Sequence, residues 1–542
     1  MKKYIILVSG IATTLSFAQK PAKDWFLLDP EQDKVNGISV ERTYKELLKD
    51  KKSTTVIVGV LDSGVDYFHE DLRDVMWNNP REIPNNGIDD DKNGYVDDIH
   101  GWNFIGGKDG RNIDKDNLEL TRLYRKYKAK YEGKNESDFK SKEEKKEFAF
   151  YQKLKEDYEN EYKEAEMGLN QMQFLLQAID SLMSEIGGIK NFSYEKLKQY
   201  EPRTQKTKQG KFLLLSILSK AGTAEEIDKN KEDVFKQVND QLKKGYDYYE
   251  TQIKYHLNLD FDPRAEIVGD NYDNPYEKFY GNNDCKGPDS FHGTHVAGII
   301  GANRNNNLGI KGIADNVRIM SVRCVPDGDE RDKDVANAII YAVDNGAKVI
   351  NMSFGKKYSW NKKAVDDAVK YAEKKDVLLV HAAGNESLNI DEITHYPSKK
   401  FENSKKEASN FIDIGALNWK DSLYIVAPFS NYGKKTVDAF SPGVDIYSTI
   451  PEGKYEFASG TSMAAPTVAG VAAVLRSYFP DLTAKQIKKI LVESVRTNYK
   501  NKKVIKPGTK DNLIEFSELS RTGGIINMYD AVKMAMKMSK VK

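Results

Sequence analysis

The chain has 542 residues, of which 30% are charged, yet 83 Lys+Arg against 82 Asp+Glu leave a formal net charge of only +1. At roughly 150 residues per domain, that length allows two or three structural units. The even charge balance gives no sign of nucleic acid or an anionic membrane surface as a bulk partner.

The chain opens MKKYIILVSGIATTLSFAQ, a Lys pair followed by an apolar stretch and then Ser16-x-Ala18. This pattern predicts a signal peptide over 1–18, cleaved before Gln19, and hence export to the periplasm or the medium. No later segment reaches about 18 apolar residues, so no membrane span is expected after cleavage. Export would permit a disulfide between the only two cysteines, Cys285 and Cys324, and the sequence leaves open whether they pair or stay free.

TVIVGVL (55–61) is a continuous β-branched and aliphatic run, as expected of a parallel strand covered on both faces. Similar runs recur at 317–325, 347–354, 376–383 and 411–417, and helical stretches at 334–346 and 364–375 separate some of them. Strands alternating with helices predict an α/β fold with a doubly wound sheet.

Residues 111–260 break that rhythm. Tyr158, Tyr162, Ala165, Leu169, Met172, Leu176, Ile179, Met183 and Ile186 recur at steps of four and three, which predicts a helix with a coiled-coil-like seam. A second helix is expected to open at Thr223, where T-A-E-E has the capping-box pattern. Two such helices would form an antiparallel arm, either a solvated spacer with a small core of its own or an arm that gates substrate or binds a protein partner.

Cleaving an amide at neutral pH needs a nucleophile, a base, an acid that orients the base, and donors for the oxyanion. Asp62 follows the first strand directly, at the carboxyl end where open α/β sheets place their sites. His292 lies in FHGTHVAGIIGA. Its HxxH lacks the Glu of a zincin helix, so His295 reads as structural. Ser462 lies in SGTSMAAPTVAGVAAVL, a turn running into an apolar helix. Taken singly, Asp62 also fits a turn cap and Ser462 an ordinary helix N-cap.

LDSGVDYFHEDL, HGTHVAGIIGA and SGTSMAAPTVAG resemble the three signature segments of the subtilisin-like (S8) serine peptidases, in that family's order of Asp, His and Ser. The resemblance implies a mostly parallel subtilisin-like sheet and a serine endopeptidase that acts on polypeptides, with Asp62, His292 and Ser462 as its triad and no cofactor for catalysis. It implies further that Asn385, in LLVHAAGNES, joins the Ser462 backbone N–H in the oxyanion hole. Ser353, Phe354 and Gly355, with Ala383 and Gly384, resemble the two walls of the S1 pocket. Asp62 and His292 stand 230 positions apart, where simple members of the family have a few tens. The helical section supplies the excess, so 19–110 and 261–542 read as two parts of a catalytic domain and 111–260 as an insertion.

DDDKNGYVDD (89–98) carries Asp89, Asp91 and Asn93 before Gly94, the start of an EF-hand-like loop. His100 stands at the twelfth position in place of the bidentate Glu, so Asp97 or Asp98 would have to complete a structural Ca2+ site. The alternative is an acidic Asx-turn loop with no ion.

Overall fold

The β-branched run at 55–61 becomes β1 (Val56–Asp62), the hub of a seven-stranded, wholly parallel sheet. The computed structural model describes residues 20–540; the expected signal peptide lies outside them. The other strands are β2 (Gly101–Asn103), β3 (Val317–Arg323), β4 (Val349–Met352), β5 (Leu378–Ala382), β6 (Phe411–Leu417) and β7 (Ala439–Pro442), in the order β2-β3-β1-β4-β5-β6-β7. Five of the seven lie where the sequence placed them. β2, of three residues, and β7, of four, were not foreseen.

Period-two alternation sends each strand's side chains to opposite faces. In β1, Val56, Val58 and Val60 join one core, built with α1 (Phe291–Gly301) and α4 (Thr461–Tyr478). Ile57 and Leu61 point into the other, built with α2 (Asp332–Asp344) and α3 (Lys362–Lys374). Helices therefore cover both faces, the doubly wound α/β arrangement that the sequence predicts. β1 connects onward to β2 on one side of the sheet whereas its neighbour β3 connects onward to β4 on the other, and open α/β sheets place their crevice at such a switch point, at the carboxyl ends of the strands. Asp62 ends β1, Ser353–Gly355 follow β4, and Ala383–Asn385 follow β5, so these adjacent strands deliver their next residues to one edge.

The chain divides into two compact units, Leu120–Phe261 and the sheet-bearing Pro21–Glu119 with Asp262–Lys542. In the first, the 44-residue helix Lys142–Glu185 packs against both Gln205–Ala221 and Lys231–Thr251. Thr223 does form a capping box, but the helix it opens, Ala224–Lys229, is only six residues long. The packing is thus of three helices, not the two of the expected antiparallel arm. Because two partners share the long helix, its covered face is wider than a seam. Met172, Ile179 and Ile186 are buried as predicted, Ala178 and Leu182 are buried beside them, and Leu176 and Met183 are only half-buried.

Candidate active site

His292 enters from the first turn of α1. Gly293 lets that turn approach β1 closely, since a Cβ there would collide with the Gly64 carbonyl and lie 3.2 Å from Asp62 Cβ. At this separation His292 Nδ1 meets Asp62 Oδ1 at 2.7 Å. Asp62 is 2% exposed, and the same oxygen accepts the Ser63 N–H at 2.8 Å. Burial by itself depresses the His292 pKa. The charge and hydrogen bond of Asp62, with Asp289 adding to the field, outweigh it and raise the value above that of an ordinary histidine.

Ser462 is the second residue of α4. Pro466 has no N–H to give to the carbonyl four residues back, which is that of Ser462. The Ser353 hydroxyl takes the vacancy, donating to Ser462 O at 2.9 Å, and Ser462 Oγ donates in return to Ser353 O at 3.1 Å. Ser353 Oγ also accepts from Asn351 Nδ2 at 2.9 Å. The nucleophile candidate is thereby tied to the end of β4, and its hydroxyl is bonded to Ser353, not to His292. Ser353, Phe354, Asp62 and His292 line a single cleft of about 340 Å³ together with Arg323 and Asp289.

Asn385 is exposed, and its side-chain oxygen accepts from Thr461 N at 2.8 Å and Thr461 Oγ1 at 3.0 Å. That leaves the amide NH2 directed away from Thr461. A point one Cβ bond off Gly460 lies 3.6 Å from Ser462 N and 3.7 Å from both Nδ2 and Oδ1 of Asn385, with no nearer atom outside the adjoining residues. Two donors thus flank one open position at the positive end of α4. Phe354, in the proposed S1 wall, is held through its carbonyl by His381 Nε2 at 2.9 Å, and His381 Nδ1 is held by Asp413 at 2.7 Å. Lys399, followed by the hydrogen bond from His381, keeps the buried Asp413 carboxyl down at about 2 despite its desolvation.

The model of the Peptidase_S8 subtilase family matches residues 53–514. The chain belongs to the subtilase family. Among curated subtilases, it is 44% identical to thermophilic serine proteinase of Bacillus sp. (strain AK1) over 229 residues, 42% of this chain and 51% of that protein. It is 41% identical to thermitase of Thermoactinomyces vulgaris over 34% of this chain and 61% of that protein. Subtilisin DY of Bacillus licheniformis is 36% identical over 38% of this chain and 70% of that protein. The chain thus spans between about half and 70% of the length of these subtilases.

Away from the cleft, His295 is buried in α1 with Nε2 3.1 Å from the Glu456 carbonyl, and burial pushes its pKa down to about 4, in keeping with a structural role. Cys285 and Cys324 are both buried and free, with no disulfide between them, and burial raises both thiols, Cys285 to about 12. In the acidic loop, Asp89 and Asp91 lie with Glu82 so that one oxygen from each falls within 4.8 Å of the others. Asn93 Oδ1 instead accepts the Tyr95 N–H, and Asp97 accepts from the backbones of Asn86 and Gly87. Glu82 lies seven residues before the motif, so its spacing gave no sign of this position.

Proposed function

We propose that the chain is an exported serine endopeptidase whose triad is Asp62, His292 and Ser462. The observation that carries this reading is the 2.7 Å bond from Asp62 to His292 Nδ1 in a cleft whose wall residue, Ser353, is bonded to Ser462. With Nδ1 committed to Asp62, Nε2 is left as the base, and Asp62 stabilises the imidazolium that forms. Substrate entry turns Ser462 Oγ from the Ser353 carbonyl toward Nε2, so that it attacks the scissile carbonyl as His292 takes its proton. The developing oxyanion sits between Ser462 N–H and Asn385 Nδ2, where preorganised donors act without reorganisation. His292 returns the proton to the leaving amine, and water then releases the acyl-enzyme.

On this reading 19–110 and 261–542 form the catalytic domain and 111–260 an inserted helical segment. Among the described residues no helix is long and apolar enough to cross a membrane. Export rests on the charge and hydropathy pattern of residues 1–18. A structural Ca2+ held by Glu82, Asp89 and Asp91 fits the hard carboxylate oxygens gathered there.

A fluorophosphonate probe is expected to label Ser462, and casein to be cleaved. Ser462→Ala should abolish labelling and lower kcat by about 10⁶, the size of the effect in subtilisin itself. Folded protein that neither labels nor cleaves overturns the proposal.

A further inference from the structure

Gly355 and Gly384, one from each proposed S1 wall, face a common neighbour. A Cβ on Gly355 would lie 2.8 Å from His395 Nε2 and 2.9 Å from its Nδ1, and a Cβ on Gly384 would lie 3.0 Å from the same Nε2. One imidazole therefore lies across both glycines, in the space that a substrate side chain entering between the walls would need.

The ring is set there by backbone pairing. Lys356 and Tyr396, the residues next to Gly355 and His395, exchange two backbone hydrogen bonds of 2.9 Å each. The opposite wall is equally fixed, since Asn431 donates from its backbone to Gly384 O and from Nδ2 to Ala383 O, both at 2.9 Å. Asn431 Nδ2 also holds Glu386 Oε2 at 2.6 Å. Glu386 therefore has a fixed partner beside the wall. Behind His395, the ring of His381 stands 5.8 Å away, clamped between Asp413 and the Phe354 carbonyl. His395 also lines a cavity of about 480 Å³, shared with His381, Lys399, Glu407, Asp413 and Lys435.

We infer that His395 is a specificity-determining residue whose ring floors the slot between Ser353–Gly355 and Ala383–Gly384, limiting the P1 residue to alanine- or serine-sized side chains. This rests on the reading of those segments as S1 walls of an active peptidase. Desolvation, reinforced by His381, pushes the His395 pKa down to about 4, so at neutral pH the floor is an uncharged ring that offers no counter-charge to a long ionic side chain. Removing the ring joins the slot to the cavity behind it and makes room for a large P1 side chain.

The test is the P1 profile of the full-length enzyme on succinyl-Ala-Ala-Pro-X p-nitroanilides, with X as Ala, Ser, Leu, Phe or Lys. Excluding a few carbons from a packed pocket is worth about 10- to 200-fold. The wild type should therefore cleave X = Ala and Ser at least about tenfold better in kcat/KM than X = Phe. His395→Gly should raise X = Phe by a similar factor while X = Ala changes little, and His395→Ala should do so to a smaller extent. Equal fluorophosphonate labelling of wild type and variants reports an intact nucleophile. A wild type that prefers Phe, Leu or Lys overturns the inference without any variant, as does an unchanged Ala/Phe ratio in labelled His395→Gly. An enzyme that is neither labelled nor active on casein fails at the peptidase reading, a result distinct from both.

Discussion

The Asp62 carboxylate works against the desolvation of His292 and wins, raising the imidazole pKa above its ordinary value. The base must be neutral to accept the serine proton, so kcat/KM should fall as the pH drops through that raised value. Asp62→Asn removes the charge that raises it, and the acid limb should move to lower pH while kcat falls by about 10⁴. A pH-rate profile of the two proteins checks both, and an acid limb that stays in place would show that Asp62 does not set the base. Gly460 offers a separate test of the proposed oxyanion position. Its φ of 166° is extended backbone that alanine adopts without strain, and an added Cβ meets nothing closer than 3.6 Å. Gly460→Ala should therefore leave Tm nearly unchanged yet lower kcat by about 10² or more, as loss of an oxyanion donor does. Unchanged turnover would mean that the space between Ser462 N and Asn385 Nδ2 is not where charge develops. The candidates Asp62, His292, Ser462 and Asn385 were legible in the motifs, but two other residue-scale features were not. The Ser353 and Ser462 exchange follows from Pro466, four residues after Ser462, and the position of His395 follows from the backbone bridge that its neighbour Tyr396 makes to Lys356.

The long elements were legible because burial on both faces of a parallel sheet demands continuous apolar runs, as in VIVGVLD of β1 and FIDIGAL of β6. β2 was not, because Gly101–Asn103 is too short to carry a pattern. The helix Gln205–Ala221 carries the run FLLLSIL, which has no clear period and gives no helical signal alone. The acidic loop shows the same limit. Asp89 and Asp91 were named from the motif, but their neighbour is Glu82, which also accepts the N–H groups of Asp91 and Asp97. If Ca2+ binds there, millimolar Ca2+ should raise Tm and a chelator should reverse the rise, because ligand binding to the native state alone stabilises it by mass action. Glu82→Ala should abolish the Ca2+-dependent shift and Asp97→Ala should keep most of it. A shift that survives Glu82→Ala would place the ion elsewhere.

Each of the two units buries its own core, and this bears on how the molecule should unfold. Met172, Leu182, Leu214, Leu218, Val238 and Leu242 pack only among residues of the helical unit, whereas both cores of the sheet are drawn from outside it. The catalytic candidates all belong to the sheet-bearing unit. Leu182 is fully buried, so Leu182→Ala should cost about 2–5 kcal/mol through lost transfer energy and the cavity left behind. Calorimetry of the intact protein should resolve more than one transition, with Leu182→Ala lowering one of them. Fluorophosphonate labelling of Ser462 should shift another, and kcat/KM at a temperature below both transitions should be unaffected by the substitution. A single transition that moves as a whole, with activity lost in proportion, would show instead that the triad depends on the helical core for its geometry. The helical segment would then be part of the catalytic apparatus, and the insertion that sets Asp62 and His292 230 positions apart would be a structural requirement of the site.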